Sequence, residues 1–386
     1  MAKPDDLSKS PTAFDHETTL LAVIEVSGTS WLTLAIVPGV DRRPLRKLPV
    51  DENALFKKLE SWCQEARKAG KLVRRSVVAF EAGRDGFWLA RWLRARGIEA
   101  YVIHPVSVAV PREARRAKTD RLDAHRLMRA LLGWLRGEPD SCRMVAIPTL
   151  AQEDARRPGR EREHLVRERT RVINRVKAAM ARLGIRGFKP GLRNAVARLE
   201  MLHTPDGEPI PPNTRAELLR HLQRLQLLKA QIAAIEAQRR ATLAEAAPSG
   251  AETMVQLLAR LGGVGIETAE MLVHEVLSRN LRDRRAVARY AGLTGTPDES
   301  GRRRREKGLS RAGNARVRSG MIQLAWRLLM FQPQSALVIW YRERVAGARG
   351  AGKKIFIVAL ARKLLLALWR YARFGEIPEG FVLRPA

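Results

Sequence analysis

The sequence predicts an α/β domain followed by helical segments, and three observations support this. Apolar strand patterns come first, at residues 20–26, 31–37 and 46–50, with a Ser-Gly-Thr turn between the first two. Helical and strand patterns then alternate up to residue 135, and strand patterns disappear after residue 151. A meander of strands followed by helix–strand alternation is typical of a mixed sheet covered by helices.

Each element of the α/β part has its own signal. A helix is predicted where Leu55, Leu59, Trp62 and Ala66 share one face. A strand at 76–80 ends at Glu81, a helix follows over 87–98, and another strand covers 100–103. Residues 120–135 form a strongly amphipathic helix pattern. The order fits a ribonuclease-H-like arrangement, although periodicity alone does not select it over other mixed sheets.

The second half of the chain is predicted to be helical. Apolar residues recur at helical spacing after Pro211 and Pro212, which indicates a helical hairpin or coiled coil, with self-association as its expected use. They are Leu219, Leu222, Leu225, Leu228, Ile232 and Ile235. We therefore expect a disordered arm over 1–17, an α/β domain over 18–145, a helical spacer over 146–250 and a helical domain over 251–386.

The chain is strongly basic. Its 386 residues include 71 Lys or Arg and 40 Asp or Glu, so the formal charge is 71 − 40 = +31. Such an excess favours a polyanionic partner, with nucleic acid first and an anionic membrane second. The late apolar stretch, 355–369, contains Arg362 and Lys363, so no membrane span is expected.

Cysteine usage and the N-terminus indicate a location. Cys63 and Cys142 are isolated and form neither a disulfide framework nor a zinc motif. The first residues are acidic, unlike a signal peptide. These features favour a reducing cytoplasm.

Four carboxylates stand out from the surface acids. Glu25 falls inside the first apolar strand, Glu81 ends another strand, and Asp120 and Asp123 share one face at the start of a helix. Crowded carboxylates repel each other, and Mg²⁺, which prefers carboxylate oxygens and shares its shell with phosphate, would resolve this. Singly, Glu25 could form a salt bridge, Glu81 could be a surface residue and Asp120 could cap its helix.

Basic residues surround the last pair of acids, Lys118 and Arg121 among them. They would steer nucleic acid toward the carboxylates, or only offset the negative charge.

Residues 258–272 have the spacing of a helix-hairpin-helix motif. Gly263 and Gly265 would let backbone N–H groups approach a phosphate at a helix N-terminus. A glycine-rich helix cap without a ligand is the alternative.

Ser300 lies in a stretch rich in glycine and proline, which predicts a bent loop, and Arg302, Arg303, Arg304 and Arg305 follow it closely. A serine needs activation to act as a nucleophile, and guanidinium groups suit an anionic phosphate transition state. A basic loop that only grips phosphate is an equal alternative on this segment alone.

Together these motifs resemble the IS110 family of insertion-sequence transposases, relatives of the Piv DNA invertase. The resemblance is carried by Glu81-Ala-Gly-Arg-Asp-Gly, by Lys118-Thr-Asp-Arg-Leu-Asp-Ala, and by Tyr290-Ala-Gly-Leu with Glu-Ser-Gly and Ala-Gly-Asn314. It extends from about residue 19 to residue 379.

The resemblance implies a RuvC-like domain whose acidic tetrad is Glu25, Glu81, Asp120 and Asp123, with Mg²⁺ as cofactor. The first position is usually aspartate, and this chain has glutamate. It also implies a coiled-coil spacer and a C-terminal domain in which Ser300 is the nucleophile, assisted by the arginines after it and by Arg311. A phosphoserine intermediate, a structured bridge RNA that pairs with donor and target DNA, and a dimer that assembles into a tetramer are further implications.

Two other functions stay open at this point. A metal-dependent junction nuclease would use the acids and water, without Ser300. A non-enzymatic nucleic-acid-binding protein would need neither the acids nor the serine.

Overall fold

The computed structural model describes residues 10, 12–83, 86–108, 119–138, 141–245, 250–300, 303–310, 312–347 and 352–385. The chain divides into two compact units, Met1–Ala151 and Gln152–Ala386. Most of the predicted N-terminal arm lies outside the described residues. Of the rest, Ala13 accepts a hydrogen bond at 3.2 Å from Nη1 of Arg75.

The first unit is built on a six-stranded mixed sheet. Its strands are β1 (Thr19–Val26), β2 (Trp31–Ile36), β3 (Leu45–Leu48), β4 (Arg75–Glu81), β5 (Glu99–Ile103) and β6 (Met144–Val145). Its helices are α1 (Glu52–Lys68), α2 (Trp88–Arg94) and α3 (Asp120–Leu135).

The strand order is β3-β2-β1-β4-β5-β6. β1 is antiparallel to β2 and parallel to β4, and β4 is parallel to β5. This order is consistent with the ribonuclease-H-like fold, and the predicted mixed α/β class is confirmed. β3 ends two residues earlier than expected, before Pro49, which has no N–H to donate to a ladder.

Two apolar layers cover the sheet. Alternate strand residues such as Leu20 and Ile24 pack with α1 and α2, while Leu21 and Val23 pack with α3. The α3 layer contains Leu127 and Leu131, together with Trp134, whose ring centroid lies 4.8 Å from that of Tyr101. The sheet is thus buried on both faces in its middle.

The rest of the chain is mainly helical. Its elements are α4 (Leu150–Asp154), α5 (Arg157–Arg182), α6 (Ala195–Glu200), α7 (Pro212–Glu245), α8 (Ala251–Ala259), α9 (Ile266–Leu272), a π-helical turn (Val273–Leu277), α10 (Arg284–Tyr290), α11 (Ala315–Phe331), α12 (Ala336–Ala346) and α13 (Gly352–Phe374). A two-stranded sheet, β7 (Gly295–Ser300) and β8 (Arg303–Leu309), separates α10 from α11.

The long helices α5 and α7 pack against each other within this chain. Val172 and Val176 of α5 share an apolar cluster with Leu218, Leu222 and Leu225 of α7. The apolar stripe identified in the sequence is therefore covered by the chain itself over this stretch.

A separate core joins α8 to α13. It includes Leu258, Leu272, Leu324 and Leu364, which are fully buried. Among the described residues, no helix combines the length and apolarity needed to span a bilayer.

Candidate active site

Glu25 and Glu81 lie side by side at the carboxyl ends of two parallel strands. β1 and β4 pair in parallel up to Ile24 and Phe80, the residues just before the two acids. Leu21 and Val23 of β1 and Val77 and Ala79 of β4 face α3. Strand alternation therefore places both carboxylates on that same face.

Both glutamates line one pocket of about 280 Å³. Gly28, Gly83 and Gly86 contribute to its wall, so little side-chain volume obstructs the acids. Glu25 is half-buried at the end of β1 rather than enclosed in the strand, as its sequence position suggested. Water reaches this strand end, so the cost of holding a charge there is lower than for a fully buried carboxylate.

Asp120 and Asp123 begin α3, which packs on β1, β2 and β4. Thr119 caps this helix, because its Oγ1 accepts a hydrogen bond from the Leu122 N–H at 3.2 Å. The alternative role of Asp120 as the cap is thus wrong. Asp120 is exposed, whereas Asp123 is half-buried and accepts a hydrogen bond from Nη1 of Arg126 at 2.8 Å.

The donor chemistry suits a hard divalent cation, since two carboxylates share one open pocket and two more begin a helix on the same sheet. In the described part of the chain, however, no three acidic, histidine or cysteine side chains lie close enough to hold a metal ion together. The structure brings Glu25 and Glu81 together, and does not gather all four acids into one ligand set.

Ser300 is the last residue of β7 and is exposed. Its segment forms an antiparallel hairpin, with Ser300 opposite Arg303 and Glu299 opposite Arg304, so the expectation of a bent loop is wrong. Charged residues have low strand propensity, so the sequence of this segment did not indicate the backbone pairing between β7 and β8. A register shift between Gly295 and Pro297 marks where the glycine and proline disturb the pairing.

Several predicted nucleic-acid contacts lie outside the described residues, namely Lys118, Arg302 and Arg311. The backbone of Arg303, Arg304 and Arg305 forms β8. Arg121 is exposed in the first turn of α3.

The glycine-rich turn before α9 has a packing role. Gly263 has φ +89°, and a Cβ there would lie 3.0 Å from Cβ of Phe331. Gly262 donates its N–H to the carbonyl of Val382 at 3.1 Å. Gly265 precedes α9 with open space around it. Phosphate binding by Gly263 and Gly265 stays a prediction.

Glu275, which is not among the predicted site residues, is a fully buried carboxylate in the π-helical turn. Its signal is a single acid inside the apolar run Met271-Leu-Val-His-Glu-Val-Leu277. Such a residue must be paired to be tolerated.

Comparisons with known proteins agree with the mixed α/β fold. A family profile described as "Transposase IS116/IS110/IS902 family" matches residues 255–338, and the DEDD profile of the IS110 group, described as "Transposase", matches residues 42–185. A Sinorhizobium fredii protein named "Putative transposase y4rJ" is 41% identical over 398 aligned positions, covering 100% of both chains. A Pseudomonas aeruginosa protein named "Probable family 20 transposase" is 28% identical over 64% of this chain and 69% of its own.

A DEDD-type transposase is the class of protein that these features define. The chain belongs to the IS110 family of transposases. It therefore acts in DNA transposition or recombination, and DNA is its substrate.

Proposed function

We propose that the chain is an RNA-guided recombinase that cuts and rejoins donor and target DNA through Ser300. The observation that carries the proposal is the position of Ser300, exposed at the end of β7 and directly opposite Arg303. An accessible hydroxyl followed in the chain by a run of arginines is suited to attack on a phosphodiester.

The covalent step is a transesterification. The Ser300 oxygen forms a bond to phosphorus, the bond from phosphorus to one DNA oxygen breaks, and the proton passes to the departing DNA hydroxyl. Arg302–Arg305 and Arg311 stabilise the negative charge on the phosphoryl oxygens. A hydroxyl of the partner strand then attacks the phosphoserine and releases Ser300. The number of phosphoester bonds is conserved, so no external energy source is needed.

Glu25, Glu81, Asp120 and Asp123 are the residues that would hold Mg²⁺. When bound, the ion would neutralise charge on the scissile phosphate. Lys118 and Arg121 would guide the DNA backbone toward these acids, and Gly263 and Gly265 would contact phosphate through their N–H groups. Dimers would assemble into a tetramer, with the serine and the acids acting on one phosphodiester within that assembly.

A bridge RNA would be a second polyanion besides DNA, which is consistent with the formal charge of +31. Base pairing by its loops would read the DNA sequences, while the protein holds the backbones.

The test is capture of the covalent intermediate. The protein, RNA transcribed from the sequence flanking its gene, Mg²⁺ and end-labelled junction DNA are mixed, denatured and separated on a gel. We expect a protein–DNA adduct that Ser300→Ala abolishes and Asp120→Asn greatly reduces. Thr296→Ala, which removes another exposed hydroxyl from the same hairpin, should retain the adduct.

Two results would contradict the proposal. An adduct that persists in Ser300→Ala would show that another residue is the nucleophile. Cleaved DNA with free ends and no adduct in the unmodified protein would indicate hydrolysis by the acids alone. Guidance is tested separately, since altering one RNA loop should redirect recombination to the complementary DNA site.

A further inference from the structure

The buried carboxylate of Glu275 is held by cations and an amide from two other segments. Arg160 of α5 donates from Nε to Oε1 at 2.9 Å and from Nη2 to Oε2 at 3.1 Å. Arg316 donates from Nη1 to Oε1 at 3.0 Å, and Asn314 donates from Nδ2 to Oε2 at 3.0 Å. The charge is therefore fully engaged within the protein rather than directed at a ligand.

The backbone beneath this carboxylate is unusual. Glu275 is central in a π-helical turn that continues α9, and such turns interrupt α-helices frequently at functional sites. Its own carbonyl accepts a hydrogen bond from Nε of Arg279 at 3.0 Å. The Arg279 guanidinium lies 4.6 Å from the ring centroid of Tyr290, the last residue of α10.

Asn314 connects Glu275 to the base of the Ser300 hairpin. Its Oδ1 caps α11 by accepting from the N–H groups of Arg316 and Val317, at 3.1 and 3.3 Å. Its backbone N–H donates to the carbonyl of Tyr290 at 2.7 Å. Because β7 follows Tyr290 and β8 precedes Asn314, this bond ties together the two chain segments that enter and leave the hairpin.

The same cluster reaches the long helix α5. Arg316 also donates from Nε to Glu163 at 2.6 Å. A Cβ on Gly159 would lie 3.0 Å from Nη2 of Arg316, so the glycine leaves room for this guanidinium. The base of the hairpin is thus bonded to α5, the helix that packs along α7.

We propose that Glu275 is a positioning residue that fixes the base of the Ser300 hairpin to α5 through Asn314, Arg316 and Arg160. This rests on the proposed role of Ser300 as the nucleophile. Loss of the carboxylate would leave Ser300 present and chemically unchanged, but would let the hairpin base move. A displacement of about 1 Å can slow a reaction by about 10²-fold, so we expect adduct formation to slow by about that factor.

The first experiment measures adduct formation in a single turnover at saturating DNA. Glu275→Gln should slow it by about 10²-fold while the DNA dissociation constant stays within about twofold of the original. Arg160→Gln should slow it in the same sense. Its control is Arg224→Gln, which removes an α5–α7 ion pair with Glu168 that does not contact Glu275. The Arg224 side chain is as exposed as that of Arg160 (53% against 52%).

An exchange of groups tests the contact itself. Asn314→Asp places two carboxylates together and should also slow adduct formation, although aspartate is an equally good helix cap. The double variant Glu275→Gln with Asn314→Asp restores one amide facing one carboxylate. We expect it to recover most of the lost rate. Equal rates for the double variant and the slower single variant would overturn the proposal.

A second readout does not depend on catalysis. A spin label is attached to Ser300→Cys in a Cys63→Ser background, where Cys142 is left in place because burial raises its pKa to about 12. Glu275→Gln and Arg160→Gln should increase the label's mobility, and Arg224→Gln should not. Unchanged mobility and an unchanged rate in folded Arg160→Gln protein would overturn the inference, even if Glu275→Gln does not fold.

These readouts separate the inference from the proposed function. If the unmodified protein forms no adduct but Glu275→Gln increases the mobility of the label, the proposed role of Ser300 is wrong, while Glu275 still fixes the hairpin. If the adduct forms at the original rate in Glu275→Gln, the role of Glu275 is wrong while Ser300 stands.

Discussion

Gly292 and Gly313 touch so closely that a Cβ on Gly313 would lie 2.6 Å from the backbone nitrogen of Gly292. The two glycines flank the β7–β8 hairpin, one after α10 and one before α11. Gly313 has φ +91° and Gly292 has φ +66°, which other residues rarely adopt. Glycine is therefore required at both positions, one in the Tyr-Ala-Gly motif and one in the Ala-Gly-Asn motif. It allows the two segments that flank the Ser300 hairpin to come into backbone contact.

Replacing Gly313 should destabilise the second unit. Gly313→Ala combines backbone strain of about 1–3 kcal/mol with a clash against Gly292 and the carbonyl of Arg289, which lies 2.7 Å from the added Cβ. Gly308→Ala is the matched control, because Gly308 has φ +89° but open space around it. Chemical denaturation should show a larger decrease in the free energy of unfolding for Gly313→Ala than for Gly308→Ala. Equal decreases would refute the clash.

Stability should depend on acid through Glu275. Burial alone would raise the pKa of this carboxyl, but bonds and charges from Arg160 and Arg316, with the Asn314 amide, lower it from an ordinary 4.5 to about 2. The unfolded chain binds this proton more readily, so the carboxylate stabilises the fold above pH 4.5 and loses that effect as the pH falls toward 2. The shift corresponds to about 3 kcal/mol.

Denaturation profiles between pH 7 and pH 2 measure this contribution. The stability of Glu275→Gln should fall less with acid than that of the original protein. Glu343→Gln, at an exposed position on α12, controls for the loss of one negative charge. Parallel profiles for Glu275→Gln and the original protein would contradict the assignment.

Glu25 should tolerate shortening better than loss of charge. Glu25→Gln removes a carboxylate from the pocket shared with Glu81 and should slow Mg²⁺-dependent cleavage on the order of 10²-fold. Glu25→Asp keeps the charge, so we expect partial activity and a changed preference between Mg²⁺ and Mn²⁺. Rates measured across metal concentrations test this, with Glu138→Gln, an exposed position shortly after the end of α3, as the control. Normal cleavage by Glu25→Gln would exclude it as a ligand.

Apolar packing between α5 and α7 should contribute most of the stability of this helix pair. Leu222→Ala removes a side chain that is 2% exposed and should cost about 2–5 kcal/mol. Leu227→Ala, on the same helix but 58% exposed, should have little effect. Thermal unfolding distinguishes the two variants. Similar decreases in stability would mean that the face of α7 with Leu222 is not the buried one.

The regular elements of the first unit could be predicted because their local patterns agree with their burial. Helix α3 begins at Asp120 and ends at Leu135, as its amphipathic pattern indicates. Strand β6 could not be predicted, because two residues carry no periodicity and their pairing depends on β5. The position of Glu25 and Glu81 in one pocket follows from two parallel strands that end at the same sheet edge, once the strand order is known.

The hairpin and the Glu275 cluster show where local patterns fail. Charged residues fill β8, and their low strand propensity conceals a ladder that forms only by pairing. Arg160 and Glu275 are 115 positions apart, so no spacing rule connects them. The sequence indicates only that one acid lies inside an apolar run. Its partners can be identified only from the folded structure.

The stripe of leucines on α7 has a consequence for quaternary structure. Because α5 already covers Leu218, Leu222 and Leu225, these side chains are not available to form a coiled coil with another protomer. Protomers that associate while keeping this arrangement must meet through different surfaces. Among the described residues, Trp326 (45% exposed) and Met330 (70%) on α11 are apolar side chains that face solvent.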